Sequence, residues 1–113
     1  MIKIIDNPIS QEEVNGFLGK PYAEMIKFVV DIRLGRVALG GELHSDAEAL
    51  LLKEGSSQSD LWGGNFFPSQ PQDKRIKYTS MINIRPSAGN PSMEVQNAKI
   101  RARMKAIAER FLP

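Results

Sequence analysis

The residues best suited to chemistry lie between Gly40 and Asp46, where the chain reads Gly-Gly-Glu-Leu-His-Ser-Asp. Adjacent glycines let backbone N–H groups approach a ligand, and the N-terminus of a following helix would favour an anion. His44 is the only histidine, and an ordinary imidazole titrates near neutral pH, as a general base should. Glu42 would share a strand face with His44 if the strand continued that far. The segment predicts an anion site or a catalytic pair.

The same segment also has a purely structural interpretation. Gly40 and Gly41 can simply turn a strand into a helix, with His44 packed beside the helix start. No serine or carboxylate pair stands in a recognisable nucleophile context, and the chain contains no cysteine. Glu42, His44, Asp46 and Glu48 have suitable atoms for a metal, but they straddle two kinds of structure. We therefore expect neither a metal site nor a cofactor.

Two further segments carry candidate binding side chains. In Asp60–Asn65, Trp62 beside two glycines could stack on a base or sugar, with Asn65 supplying an amide, or it could anchor the segment in the core. In Asn83–Ser87, Arg85 could bind a carboxylate or phosphate, or it could stay solvated or pair with a nearby acid. If the strand ends are neighbours, one cleft would hold the candidate ligand-binding residues Glu42, His44, Trp62, Asn65 and Arg85.

The charge of the chain indicates no particular macromolecular partner. There are 15 basic and 13 acidic side chains, a net charge of +2. The basic excess lies mainly in the last predicted helix, where long basic side chains beside an apolar stripe usually cover the edge of the core. Nucleic-acid binders concentrate basic residues on one face or in one tract. We therefore expect no nucleic acid to bind.

Hydrophobic segments are short throughout the chain. Met1–Asp6 offers only a few apolar residues before acidic ones follow, unlike a secretion signal. No apolar run approaches the roughly 18 residues of a membrane span. We expect a cytoplasmic protein that does not associate with membranes.

The length and composition are typical of one globular domain that covers residues 1–113, with 42% hydrophobic and 25% charged residues. Within it, Met1–Asp6 is predicted to be a short strand. Ser10 and Glu13 form a capping box for a helix over Gln11–Leu18. Next come two strands, Met25–Ile32 and Arg36–Leu39, joined as a hairpin with Gly35 at a positive φ.

The second half is predicted to begin with a helix. Ser45 and Glu48 form a second capping box, and the helix ends near Gly55. Ser56–Asp73 has few periodic residues and is interpreted as a long irregular segment. Arg75–Ile84 alternates like a strand with one buried face.

The predicted C-terminal part is a short strand followed by a helix. Ser92–Val95 is a candidate edge strand, and Asn97 caps the last helix. Four apolar residues of this helix fall on one face: Ile100, Met104, Ile107 and Phe111.

The order β-α-β-β-α-loop-β-α predicts an α+β fold: a small, mostly antiparallel sheet covered on one face by helices. A small domain of this kind can leave strand edges exposed, so a second copy of the chain is a candidate partner.

The chain resembles an uncharacterised family of short, single-domain prokaryotic proteins, a domain of unknown function. The residues that carry the resemblance form four blocks between Met25 and Phe111: Gly40–His44, Asp60–Asn65, Asn83–Ser87 and Ser92–Val95. The family supplies no activity to expect here, but its blocks coincide with the candidate segments above.

Two hypotheses of different classes follow. The chain is either a binding module for a small anionic ligand or a protein partner, or a small hydrolase-like enzyme. In the enzyme, His44 and Glu42 would act together while Arg85 would hold the anionic part of the substrate. We favour the binding module, because no nucleophile is apparent.

Overall fold

A computed structural model describes all residues 1–113. Its strands are β1 (Ile2–Ile5), β2 (Ile26–Asp31), β3 (Arg36–Gly40), β4 (Leu61–Phe66) and β5 (Ile76–Lys77), and its helices are α1 (Gln11–Asn15), α2 (His44–Lys53) and α3 (Ala98–Phe111). Single turns of 3₁₀ helix occur at Gln58–Asp60, Gln72–Lys74, Met81–Asn83 and Pro86–Ala88.

The five strands form one sheet in the order β1-β3-β2-β4-β5, and every pairing is antiparallel. The α+β class and the antiparallel sheet are therefore confirmed. The hairpin is confirmed as well, since β2 pairs with β3 and Gly35 has a φ of +72°. Asp31 closes its turn, because its Oδ1 accepts the N–H groups of Arg33 and Leu34 at 3.0 and 2.8 Å.

Helices cover both faces of this sheet, so the expectation of one covered face is wrong. Phe28 and Val30 of β2 belong to the large apolar cluster that also contains residues of α3. Val29, between them, packs on the opposite face with Ala47 and Leu51 of α2. Apolar residues at consecutive positions are typical of a strand buried on both faces. The run Phe28-Val29-Val30 therefore explains why the sheet lies between two helix layers, with α3 on one face and α2 on the other.

The prediction of an irregular Ser56–Asp73 segment is also wrong, because β4 lies inside it. β4 pairs with β2 over its whole length, from Ile26 opposite Phe66 to Asp31 opposite Leu61. The strand was not predicted because it contains two glycines, and glycine is disfavoured in strands.

The glycines of β4 are required by close packing. A Cβ added to Gly63 would lie 2.7 Å from the Cβ of Ser80, and one on Gly64 would lie 2.6 Å from Cζ of Phe28. Tertiary contacts on both faces therefore override the weak strand propensity of this segment.

The predicted strand Arg75–Ile84 is much shorter in the structure, where only Ile76–Lys77 pairs with β4. The chain turns at Ser80, whose hydroxyl accepts the N–H of Ile82 at 3.3 Å. Such local side-chain bonds compete with strand pairing. Ser92–Val95 contributes one isolated bridge, Thr79 opposite Glu94, rather than an edge strand.

The first and last helices begin where the sequence predicts. Ser10 Oγ accepts the N–H of Glu13 at 3.1 Å, which confirms the capping box, although α1 ends at Asn15 and not at Leu18. Asn97 Oδ1 caps α3 by accepting two backbone N–H groups. On the predicted stripe, Met104, Ile107 and Phe111 are buried and Ile100 is half-buried.

The second capping box is wrong. The N-cap of α2 is Leu43, which makes no side-chain cap, and Ser45 and Glu48 lie inside the helix. Gly40 and Gly41 both have positive φ, 103° and 91°, so the chain turns early and the helix starts at His44. None of the helices is long and apolar enough to cross a membrane.

Candidate functional site

His44 is buried at the start of α2, with 8% of its surface exposed. Its Nε2 lies 2.7 Å from the carbonyl oxygen of Gly64. A carbonyl oxygen only accepts hydrogen bonds, so Nε2 carries a proton and donates it. Burial lowers the pKa of His44 below its ordinary value, the Gly64 bond opposes this, and the charge of Lys27 lowers the pKa further. The imidazole is therefore neutral at neutral pH, with Nδ1 unprotonated.

Lys27 and Asn65 face each other across β2 and β4, so their side chains lie on the same face of the sheet as His44. Asn65 Nδ2 donates to the carbonyl of Thr79 at 3.2 Å, while its buried Oδ1 has no hydrogen-bond partner. The ammonium of Lys27 lies 5.2 Å from the centroid of the Tyr22 ring, a cation–π contact. We call Tyr22, Lys27, His44 and Asn65 the polar cluster.

Glu42 is exposed. Only its backbone takes part in a hydrogen bond, accepting from the Tyr22 hydroxyl at 2.8 Å. No hydrogen bond joins the Glu42 carboxylate to His44, whose one such partner is the Gly64 carbonyl. The two residues of the proposed catalytic pair therefore share no hydrogen bond.

A small cavity of about 40 Å³ adjoins the polar cluster. Lys20, Tyr22 and Lys27 line one part of it, and Gly40–Gly41 line another. No aspartate or glutamate is among its lining residues. The N–H of Gly41 donates to no other backbone group. We call this space the lysine cavity; its two lysines, with no acidic residue in the lining, give it a positive character.

Trp62 and Arg85 form a second grouping, away from the cavity. The ζ carbon of Arg85 lies 4.4 Å from the centroid of the Trp62 ring, and Trp62 is only 3% exposed. Arg85 Nε donates to the carbonyl of Ile82 at 3.2 Å and Nη2 donates to that of Leu61. Burial lowers the pKa of the guanidinium, and the charge of Glu48 opposes that shift. Arg85 and Trp62 are thus packed into the structure, although Arg85 Nη1 and Trp62 Nε1 are buried without a hydrogen-bond partner.

Asn83, which sequence reasoning did not select, organises the neighbouring loop. Its Oδ1 accepts the N–H of Gly63 at 2.8 Å, and its Nδ2 donates to the carbonyls of Gly63 and Met93 at 2.9 and 3.0 Å. Asn90 Oδ1 accepts the N–H of Gln96 at 2.9 Å, and its Nδ2 lies within 3.0 Å of three carbonyl oxygens. No local signal distinguishes these two asparagines from the other polar residues between Ser80 and Asn97.

The predicted site residues are therefore distributed along β4. His44 and Asn65 meet at its C-terminal end, while Arg85 bonds to Leu61 at its N-terminal end. Leu61 and Gly64 are three residues apart, roughly 10 Å along a strand. No three histidine, aspartate or glutamate side chains lie together as metal ligands would.

The sequence has no match among curated proteins, and the fold has none among solved structures. A family model described as a protein of unknown function, DUF5674, matches residues 3–111. This match extends the resemblance from its expected start at Met25 to include most of β1 and all of α1. The chain belongs to the DUF5674 family, a single-domain family of unknown function.

Proposed function

We propose that this protein is a cytoplasmic, non-catalytic binding module that holds a small anionic ligand in the lysine cavity. The observation that carries the proposal is the lining itself: two lysine residues line the cavity and no aspartate or glutamate does. An unbalanced positive lining attracts an anion and disfavours a cation.

The size of the cavity indicates which part of a ligand it can hold. A water molecule needs roughly 10–15 Å³ of such space. A cavity of about 40 Å³ therefore admits a few waters or one compact oxyanion group. We infer that a phosphate, sulfate or carboxylate group enters, while the rest of the ligand stays in solvent.

The surrounding residues supply donors in fixed positions. Lys27 is held against Tyr22, and Tyr22 is fixed by its bond to the Glu42 carbonyl. Gly41 has a free N–H, and it lies three residues before the first residue of α2, whose N-terminal dipole favours negative charge. Fixed donors bind an anion at a lower entropic cost than mobile surface lysines.

This proposal keeps the anionic ligand predicted from the sequence but changes the residues that bind it. Lys20 and Lys27 replace Arg85 and Trp62 in this proposal, because Arg85 and Trp62 do not line the cavity and Nε and Nη2 of Arg85 already bond to carbonyls. Binding is favoured over the hydrolase-like alternative because the Glu42 carboxylate makes no bond to His44.

The test is a thermal melt with sodium phosphate, sodium sulfate or sodium acetate, against sodium chloride of equal ionic strength. A ligand that binds only the folded state raises the melting temperature by mass action. We expect a rise for at least one of the three oxyanions. Lys27→Met should abolish it and Lys20→Met should reduce it.

Lys99→Met is the matched control, because Lys99 is exposed in the first turn of α3 and lies outside the cavity. It removes the same charge and should leave the rise intact. The proposal fails if no oxyanion raises the melting temperature of the wild type, or if Lys27→Met responds like the wild type.

A further inference from the structure

His44 lies on the same face of the sheet as Lys27, which lines the lysine cavity. Val29, two residues after Lys27 in β2, packs against α2, so Lys27 also points to the α2 face. Asn65 is directly opposite Lys27, and the imidazole bonds to the carbonyl of the preceding residue, Gly64, at 2.7 Å. The imidazole and the Lys27 side chain therefore lie over the same pair of strands.

A buried acceptor is available to the imidazole for a second proton. Nε2 of His44 already donates to Gly64, so a second proton would be carried on Nδ1. Oδ1 of Asn65 is buried without a partner, and a hydrogen bond to Asn65 favours the protonated form of His44 by raising its pKa. The neutral imidazole leaves this oxygen without a donor, whereas the imidazolium supplies one.

Two lysines on neighbouring strands approach this face. Burial lowers the pKa of His44 most, and the charge of Lys27 lowers it further. The ammonium of Lys27 lies 5.2 Å from the centroid of the Tyr22 ring, which keeps it near the cavity. Lys77 lies across β4 on β5, with its ammonium 5.7 Å from the centroid of the Phe67 ring. Lys27 is therefore the cation that acts on the imidazole.

No acidic residue offsets this charge at the imidazole. Glu48 is one turn after His44 on α2, and its charge acts on Arg85. Glu42 is exposed to solvent, and no hydrogen bond joins its carboxylate to the imidazole. The loop beside β4 presents Ser80, which carries no charge. Protonation of the imidazole therefore depends on what happens to the charge of the neighbouring lysine.

We propose that binding of an anion in the lysine cavity is coupled to protonation of His44. The inference rests on the proposed function, because it requires an anion beside Lys27. A bound oxyanion offsets the Lys27 charge and so removes repulsion between the ammonium and the imidazolium. His44 then takes up a proton more readily, and by reciprocity the protonated protein holds the anion more tightly. The module binds its ligand more strongly as the pH falls and releases it as the pH rises.

NMR of the imidazole tests the coupling directly, because His44 is the only histidine. Its pKa is measured in sodium chloride and, at equal ionic strength, in whichever of sodium phosphate, sulfate or acetate raises the melting temperature most. The oxyanion should raise the pKa of His44. Lys27→Met should raise it in sodium chloride alone, since the repelling charge is gone, and the oxyanion should add nothing more. Lys99→Met, which removes an exposed charge outside the cavity, should titrate like the wild type.

The reciprocal measurement is the dissociation constant of the same oxyanion between about pH 5 and 8, the range in which histidine titrates. For the wild type it should fall toward low pH, by at most about tenfold per pH unit for one linked proton. His44→Gln should lack this part of the change, and its comparison with the wild type cancels the titration of the oxyanion and of other groups. Circular dichroism confirms that each variant is folded.

The outcomes separate this inference from the proposed function. If no oxyanion raises the melting temperature of the wild type, both fail. If an oxyanion stabilises the protein but leaves the pKa of His44 unchanged, only the coupling fails. A Lys27→Met protein whose imidazole titrates like the wild type also overturns the coupling. So does a His44→Gln protein whose dissociation constant changes with pH as much as that of the wild type.

Discussion

The side-chain amide of Asn83 pairs with the backbone of Gly63 in both directions. Gly63 donates its N–H to Asn83 Oδ1 at 2.8 Å and accepts from Asn83 Nδ2 at 2.9 Å. β5 covers only the far end of β4, at Asn65 and Phe66. The amide therefore supplies the hydrogen bonds that a neighbouring strand would otherwise make at this edge.

Replacing Asn83 by alanine should lower the free energy of unfolding by about 2–4 kcal/mol, because buried N–H and C=O groups lose their partners. Gly63 and Met93 would both be affected. Urea denaturation measures the change. Asn7→Ala is the control, since Asn7 is exposed and bonds only to its neighbour Asp6. An Asn83→Ala protein as stable as Asn7→Ala would show that the amide is not needed.

Replacing Gly63 by alanine should cost about 1–3 kcal/mol of stability, the usual range for overpacking. The new methyl group would lie 2.7 Å from the Cβ of Ser80 and 3.2 Å from Cδ2 of His44. Adding Ser80→Gly removes the closest of these atoms and should restore part of the loss. If the double variant lost as much stability as the two single variants added together, or more, steric conflict with Ser80 would not be the cause.

The burial of His44 predicts how stability depends on pH. Its pKa is lowered in the folded state, so the unfolded chain binds a proton more readily as the pH falls below about 6.5. Unfolding free energy should therefore decrease with falling pH until the folded-state pKa is passed. The slope from this one group is at most about 1.4 kcal/mol per pH unit.

Urea denaturation of the wild type and of His44→Gln between pH 5 and 8, about the range in which histidine titrates, isolates this contribution. Glutamine keeps an N–H donor for the Gly64 carbonyl but does not titrate. The difference in unfolding free energy between the two proteins should shrink toward low pH. Parallel curves would contradict the assignment of this dependence to His44.

Ile107 is 3% exposed and belongs to the buried face of α3. Ile107→Ala should destabilise the protein by roughly 2–4 kcal/mol, because it removes buried surface and leaves a cavity. Arg103→Ala loses one exposed bond to the Ile32 carbonyl and should cost less than about 1 kcal/mol. Thermal melts compare the two, and a larger loss for Arg103→Ala would contradict the packing.

Local signals predicted the parts of the fold that depend on local physics. The caps at Ser10 and Asn97 and the turn at Gly35 need only a few neighbouring residues, and all three are confirmed. β4 could not be found in this way. Its glycines have low strand propensity, and only residues distant in sequence, such as Phe28 and Ser80, explain why nothing larger fits.

In the candidate site, too, some residues could be predicted from local sequence and others only from tertiary structure. His44 and Asn65 stand out in sequence because their residue types and glycine neighbours are unusual. Lys27 does not, since only the register that places it opposite Asn65 brings it to the polar cluster. The acceptor of the Arg85 Nη2 bond could not be predicted either, because the Leu61 carbonyl is brought to Arg85 only by the tertiary structure.

The strand order gives β2 the central place in the sheet, with β3 on one side and β4 on the other. Its amide protons should exchange with solvent only when the whole molecule unfolds. β1 is bonded to β3 alone, so it can detach while the rest of the sheet stays intact. Deuterium should therefore appear at Lys3 and Ile4 long before it appears at Val29. This gradient would give the molecule a stable centre and an N-terminal strand that opens independently.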